Sequence, residues 1–550
     1  MANGGIGFSK ISGFYKKEVE APGVNIVVMA VTSGVAGGAI LGLINTAAEA
    51  SSDKEIHAKL FIMFVLALFL YIYTKRFALD TATKGVEIAL NKLRVRITDK
   101  LRRADLHFIE TTADTEIYTK LSQETAILSQ AAFMIVEASQ SAIVLLACFV
   151  YIFIISKVAF LLTVTAIAIG MSLYFVNSHE IMKDLQKSAQ KEEEFFGLLS
   201  HLLRGFKEVK MSYRRNEEVY ADISAISNDA KRLKVKTNAK VVVDFMFAQV
   251  FFYSLIGMNI FILPSMVDID AKDLVKLAAS LLFIIGPLTT FVSSIHIFAK
   301  TALSIDTLYA LEDMLDKAIS DSTYMEPPAT PAPFNEISVE NISFSYVDHA
   351  GTNVFQVGPL DFRIKKGETV FIVGGNGSGK STLLKLLTGL YAPRSGKIKI
   401  DGKTVEPDRL QEYRELFSAI FGDFHLFPRL YGVDNPPDEK VDNLLRLMEL
   451  QKKTEYKHGG FTNLDLSTGQ RKRLALIVSF LEDKPVYIFD EWAADQDPEF
   501  RSYFYDVILS DLKKAGKTVI AVSHDDRYFS YADRTLKLDY GQIASEITNR

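Results

Sequence analysis

Six apolar stretches in the first 300 residues restrict this chain more than any other feature. They run over 24–44, 60–77, 131–155, 158–176, 243–264 and 274–299. Each approaches the roughly 20 residues that a helix needs to cross a bilayer. One such stretch would also suit a buried helix of a soluble protein, but six in succession predict a multi-pass membrane domain. Helices are the expected form, because a spanning segment must satisfy its own backbone polar groups in hydrocarbon. About twenty largely polar residues, with Lys10, Lys16 and Lys17, precede the first stretch. That stretch is long enough to span rather than to serve as a cleaved signal.

The connections give an orientation. Segments 75–130 and 177–240 hold ten and thirteen Lys and Arg residues, whereas the short connections 49–59, 156–157 and 265–273 together hold four. The positive-inside bias places both long segments, the N-terminus and the C-terminal half in the cytoplasm. The long segments contain no proline and are rich in Leu, Lys, Glu, Ala and Gln. Folded as helical hairpins they would reach roughly 40 Å below the membrane at 1.5 Å per residue. They are expected to act as rigid arms that touch a cytoplasmic domain, with tips near 113–121 and 206–216.

Residues 320–336 carry four of the chain's 15 prolines and mark a semi-rigid linker. Beyond it, short β-rich runs alternate with helical ones, the pattern of an α/β domain. The expected organisation is therefore a six-helix transmembrane domain with two cytoplasmic arms over 1–319, a linker over 320–336 and an α/β domain over 337–550. Hydrophobic residues at 49% and charged residues at 23% suit a chain that is half in lipid and half in water. A net charge of −4 leaves no electrostatic footprint for nucleic acid. Cys148 is the only cysteine and lies in an apolar run, which excludes an intrachain disulfide and a Cys-rich metal site.

Phe371-Ile372-Val373 reads as a buried strand running into Gly374-Gly375-Asn376-Gly377-Ser378-Gly379-Lys380-Ser381-Thr382. This is the GxxxxGK[ST] pattern, set between a strand and a helix as phosphate binding requires. The glycines let backbone N–H groups turn toward phosphates, and the helix N-terminus favours an anion. Lys380 would meet the β- and γ-phosphates of ATP, and the Ser381 hydroxyl would ligate Mg²⁺. Val486-Tyr487-Ile488-Phe489 delivers Asp490 and Glu491 to a strand end, where open α/β sheets place ligand chemistry. Asp490 is expected to hold Mg²⁺ and Glu491 to polarise the attacking water.

Three further elements narrow the class. Leu466-Ser467-Thr468-Gly469-Gln470 stands before the basic helix start Arg471-Lys472-Arg473. His524 ends the strand-like Val519-Ile520-Ala521-Val522-Ser523, 33 residues beyond Glu491. Tyr346 lies in another β-rich run, Ile342-Ser343-Phe344-Ser345-Tyr346, ahead of the phosphate loop. Together these resemble the motifs of ABC exporters, with Thr468 in place of the first signature glycine. The resemblance covers essentially the whole chain. It implies that Tyr346 stacks on adenine and His524 contacts the γ-phosphate. It also implies that two ATPase domains meet head to tail, each ATP lying between one phosphate loop and the other subunit's Ser467, Gly469 and Gln470. The chain has one copy of each motif, so a second identical subunit is the simplest expected partner; pairing with a different chain is the alternative.

One departure concerns the glutamine that such domains usually carry near Mg²⁺. Here the segment reads Phe417-Ser418-Ala419-Ile420-Phe421-Gly422-Asp423, with Gly422 in the glutamine register. Asp423 is expected to take over part of that role as a metal contact. Another is Asp490-Glu491-Trp492-Ala493-Ala494-Asp495-Gln496-Asp497-Pro498, in which Asp497 matches the usual aspartate and Trp492 is the only tryptophan. With Ser523-His524-Asp525-Asp526, these segments resemble cyclic-peptide exporters, a group that includes those for the lasso peptide microcin J25, syringomycin-type lipopeptides and the pyoverdine precursor. The resemblance implies ATP-driven alternating access, with a cyclic, lasso-type or siderophore-like peptide as cargo in the transmembrane cavity and lipid around it. A lipid or multidrug exporter is the alternative; a soluble-type ABC ATPase would lack the six spans. Asn45, Glu137, Gln140, Asp244, Gln249, Asn259 and His296 are polar positions that could face a cavity, and none is singled out as a cargo contact.

Overall fold

The computed structural model describes residues 2–19, 23–49, 54–111, 114–319, 333–347 and 353–549. The proline-rich linker falls mostly outside them, over 320–332. Among the described residues, ten α-helices make up the N-terminal part. A short α1 (Ala2–Glu18) precedes α2 (Gly23–Glu49), α3 (Lys54–Leu101), α4 (Leu106–Thr111) and α5 (Asp114–Ile155). Then come α6 (Lys157–Arg204), α7 (Phe206–Lys210), α8 (Tyr213–Gly257), α9 (Leu263–Met266) and α10 (Ala271–Ala318). Among the described residues five stretches are long and apolar enough to cross a membrane: Asn25–Ala48, His57–Leu101, Lys120–Ile155, Gln249–Met266 and Ala271–Ala318. The remaining expected span falls in α6, whose described apolar run, Lys157–Ser172, is shorter.

Local chemistry explains the breaks between these helices. Ser156 separates α5 from α6, and its hydroxyl caps the new helix by accepting from the Ala159 N–H. Pro264 cannot donate into the helical ladder, and the turn before it, Met258–Ile262, widens to a π-turn. The second arm turns at 205–212, as expected, where Gly205 ends α6 and Ser212 caps α8. The first arm turns earlier than expected. Its break lies at 102–105, and α5 has already begun at Asp114. The Asp105 N–H donates to the Ala318 carbonyl at 2.9 Å, which takes that donor out of the α3 ladder.

Packing divides the chain into two units: Met1–Val95 with Thr119–Tyr309, and Arg96–Tyr118 with Ala310–Arg550. Within the first, α2 lies close against α5 because it presents glycines. A Cβ on Gly34 would come within 2.7 Å of Ile143, and one on Gly38 within 2.6 Å of Ala147. Polar groups here pair with one another. Glu137 meets Lys75 at 2.9 Å, and the Gln140 amide donates to Ser33 at 2.8 Å. Asn45 and Asn259 are buried, each with one side-chain atom unpartnered among the described residues, while Gln249 is exposed. The side chains of Asp244 and His296 lie outside the described set.

The second unit holds the C-terminal domain. A four-stranded antiparallel sheet has the order β2 (Asn353–Lys365), β1 (Glu336–Val347), β4 (Ser395–Ile400), β5 (Lys403–Thr404). A six-stranded sheet runs β12 (Gln542–Thr548), β11 (Arg534–Asp539), β3 (Thr369–Val373), β10 (Thr518–Val522), β9 (Val486–Asp490), β6 (Phe417–Ile420). Its central strands β3, β10 and β9 are parallel and buried at every residue, which explains why they read as unbroken apolar runs. Helices α11 (Lys380–Leu387), α12 (Leu410–Arg414), α13 (Asp438–Leu447), α14 (Thr468–Glu482), α15 (Pro498–Tyr503) and α16 (Leu509–Lys514) complete the domain, with a small hairpin of β7 (Tyr456–Lys457) and β8 (Gly460–Phe461).

Candidate ATP site and its neighbours

The parallel register brings three strand ends to one edge. Val522 of β10 pairs with Ile372 of β3 on one side and with Asp490 of β9 on the other. The loop after β3, the acids after β9 and the histidine after β10 therefore emerge side by side. This is the carboxyl edge at which such sheets bind ligands.

The loop after β3 is built for an anion. Gly374, Gly377 and Gly379 have φ of 153°, 77° and 98°, a backbone that side-chain-bearing residues rarely adopt. A Cβ on Gly374 would approach the Leu538 carbonyl to 2.3 Å. Gly375, Asn376 and Gly377 are exposed, whereas Ser378, Lys380 and Thr382 are buried. The Lys380 ammonium folds back to the Gly374 and Gly375 carbonyls at 3.1 and 2.9 Å. Burial pulls its pKa below the ordinary lysine value, while Glu491 and Asp490 pull it the other way. Burial pushes the Asp490 carboxyl above the usual range, although it accepts from the Ser381 hydroxyl and the Gly422 N–H. Asp490 Oδ1 and Ser378 Oγ are buried without a hydrogen-bond partner among the described residues. A buried carboxylate oxygen with a free lone pair beside a hydroxyl is a donor set that suits Mg²⁺.

Glu491 follows Asp490 in a left-handed conformation, φ 50° and ψ 34°. Such backbone in a residue other than glycine costs on the order of 1–3 kcal/mol and persists only where neighbours hold it. Its Oε1 lies 2.8 Å from His524 Nε2, both side chains being partly exposed. Lys380, Ser381, Asp490, Glu491 and His524 thus gather at one edge. Asp423 is exposed, and what reaches Asp490 from this segment is the backbone of Gly422. The Tyr346 hydroxyl meets Thr382 Oγ1 at 3.1 Å, at the start of α11.

Ser467, Gly469, Gln470 and Asp497 form a second group, lining a separate cleft with Arg473 and Gln496. Ser467 and Gln470 make a reciprocal capping box that starts α14. The basic start of this helix is not a solvated face. Lys472 and Arg473 are buried, at 4% and 9% exposure, and both turn toward the segment after β9. Lys472 Nζ donates to the Glu491 carbonyl at 2.8 Å and pairs with Asp495 at 2.7 Å. Arg473 bonds Gln496 Oε1 at 2.9 Å, pairs with Asp497 and lies 3.7 Å from the centre of the Phe500 ring. Gln496 returns a bond to the Gly469 carbonyl at 3.1 Å. Trp492, 1% exposed, donates its indole N–H to the Lys472 carbonyl and stacks on Phe504.

The helix α4 also belongs to this unit. Glu110 accepts from Lys385 at 2.7 Å and from the Tyr391 hydroxyl, while the His107 ring packs edge-on against Phe344, Tyr346 and Tyr391. Burial, reinforced by Glu110, holds the Tyr391 hydroxyl protonated. Lys472, Arg473, Gln496, Glu110 and His107 escaped the reading of the sequence. The Arg471-Lys472-Arg473 run was the one visible signal, and it reads equally well as an exposed helix start.

Comparison with known proteins agrees with this geometry. The family description "ABC transporter" matches residues 357–494, and "ABC transporter transmembrane region" matches residues 24–288. A curated relative, the ATP-binding protein SyrD of Pseudomonas syringae pv. syringae, is 32% identical over 94% of this chain and 92% of its own length. The chain belongs to the ABC transporters. More distant is the ATP-dependent lipid A-core flippase of Haemophilus influenzae, 26% identical over 66% of this chain and 63% of its own. A solved bacterial Atm1-family ABC exporter with ATP bound shares the fold, with a TM-score of 0.73 at 18% identity over 98% of this chain and 95% of that one. The ABC exporter architecture identifies the α/β domain as an ATP-hydrolysing motor coupled to transport across a membrane by the helical domain.

Proposed function

We propose that this ABC exporter works as a homodimer in the inner membrane, its termini cytoplasmic, and expels a cyclic, lasso-type or siderophore-like peptide by alternating access. The observation that carries the ATPase part is the convergence of Lys380, Ser381, Asp490, Glu491 and His524 at one sheet edge. Gly374, Gly375, Asn376, Gly377, Ser378 and Gly379 would wrap the phosphates with backbone N–H groups, Lys380 would leave its carbonyl partners for the β- and γ-oxygens, and Thr382 would close the loop. Tyr346 would stack on adenine. Ser381 and Asp490, with Asp423 nearby, would hold Mg²⁺, which when bound neutralises charge on the phosphate oxygens. Glu491 would orient the attacking water and draw off its proton, and His524, already 2.8 Å from that carboxylate, would steady the γ-phosphate.

Ser467, Gly469, Gln470 and Asp497 lie in their own cleft, which supports a second subunit supplying the other wall of each ATP site. The tip of the second arm supports the same reading. Met211 and Tyr213 are 87% and 80% exposed, and such apolar surface calls for a partner. The organisation proposed is a transmembrane domain over 1–319, a linker over 320–336 and the ATPase domain over 337–550. The unusual segments around Gly422 and Trp492, which resemble those of cyclic-peptide exporters, support peptide cargo. A flippase activity is the second reading, favoured by the more distant lipid A-core flippase relative. ATPase stimulation in nanodiscs separates them. Stimulation by a lasso peptide, a cyclic lipopeptide or a siderophore precursor supports the proposal, and stimulation by lipid A alone would overturn it.

A further inference from the structure

The bonds between α14 and the segment after β9 point to a residue that the ATPase reading leaves unassigned. We infer that Lys472 is a positioning residue: it fixes the backbone of Glu491 and ties it to the signature turn at the start of α14. The inference rests on the proposed role of Glu491.

A lysine ammonium has three protons to give and no acceptor capacity, so once buried it must find oxygen partners. Lys472 is 4% exposed and finds two on the same short segment, the Glu491 carbonyl at 2.8 Å and the Asp495 carboxylate at 2.7 Å. The carbonyl it grips belongs to the one residue of that turn with positive φ. A left-handed glutamate at a strand end relaxes unless something restrains its peptide, and this charge-assisted bond supplies the restraint. The other side of the junction is equally fixed. The Trp492 indole N–H holds the Lys472 carbonyl at 2.9 Å, and Gln496 holds that of Gly469 at 3.1 Å. The signature turn and the water-orienting carboxylate therefore move as one piece.

In the head-to-tail dimer proposed above, these two ends serve different ATP molecules. Gly469 faces the nucleotide held by the partner subunit, and Glu491 faces the nucleotide of its own chain. Lys472 then makes the placement of Glu491 depend on whether the other site has closed on its signature turn. Its effect falls on turnover rather than on nucleotide affinity.

The test measures steady-state ATPase kinetics of the full-length chain in nanodiscs with MgATP. Lys472→Met and Lys472→Gln should each lower kcat by about tenfold or more, with KM for ATP within about twofold of wild type. Lys472→Arg keeps a charged donor and should recover kcat to within about threefold. Asp495→Asn, which leaves the ammonium in place, covers the case in which the Lys472 variants fail to fold, and should show the same split with a smaller fall. A kcat for Lys472→Met near wild type would overturn the inference. So would equal loss in Lys472→Arg and Lys472→Met, or kcat and KM worsening together. Glu491→Gln in the same assay separates the two levels: if it hydrolyses ATP at the wild-type rate the parent reading fails, whereas an inactive Glu491→Gln beside a fully active Lys472→Met sinks only the role of Lys472.

Discussion

Glu491 sits where the end of β9 meets His524 and the buried ammonium of Lys472. Four apolar residues ending in two acids place it at a sheet edge, and its distance behind the phosphate loop gives it a role. Its left-handed backbone and its 2.8 Å contact with His524 belong to tertiary structure, because no local pattern encodes a partner 33 residues away. Replacing it with glutamine should lower ATP turnover by about 100-fold or more, since a neutral amide cannot take the proton of the attacking water. Single-turnover hydrolysis measures this, and retention of bound ATP should accompany the loss. Away from the site, Glu482 supplies a pH prediction. Burial raises its pKa, opposed by the Ser418 hydroxyl that donates to it. A carboxyl with a raised native pKa binds its proton more tightly folded than unfolded, so stability falls as pH rises from the unfolded value through the native one. Glu482→Gln should flatten that slope, which melting temperatures between pH 4 and 8 would show as a variant gaining on wild type toward neutral pH.

Helices and strands were legible where periodicity or apolar length speaks for itself, and less so where they end. The buried strands β3, β9 and β10 were visible as apolar runs, whereas the second long segment was expected to turn only somewhere within 206–216. The first arm was misplaced because no glycine or proline marks its break, where the Asp105 N–H donates to the Ala318 carbonyl more than 200 residues on. Its short helix α4 then carries Glu110 to Lys385 and Tyr391, an anchorage with no counterpart in a local motif. Glu110→Ala removes both contacts while leaving the phosphate loop untouched. Basal ATPase should stay within about twofold of wild type, and stimulation of that activity by cargo should fall by about tenfold, because a lost charge-assisted bond in a partly buried setting costs about 1.5–3 kcal/mol. Paired measurements with and without cargo on one preparation decide it; unchanged stimulation would count against α4 as a transmitting element.

For the whole molecule, the head-to-tail dimer proposed above gives each chain two half-sites, each completed by its partner. Cys148 is the only cysteine and is buried, so a cysteine-free background costs one substitution in the membrane domain. In that background, Asn376→Cys combined with Ser467→Cys should crosslink two chains when MgATP is added, doubling the apparent mass on a non-reducing gel. Persistence of the single-chain band under oxidising conditions would argue against head-to-tail pairing. The chain also carries its own optical probe. Trp492 is the sole tryptophan of 550 residues, and it is wedged between the signature helix and the turn that bears Glu491. All indole fluorescence of the intact transporter therefore originates at this one joint. A change in emission during the ATP cycle reports the joint alone, without a dye, a label or an engineered residue.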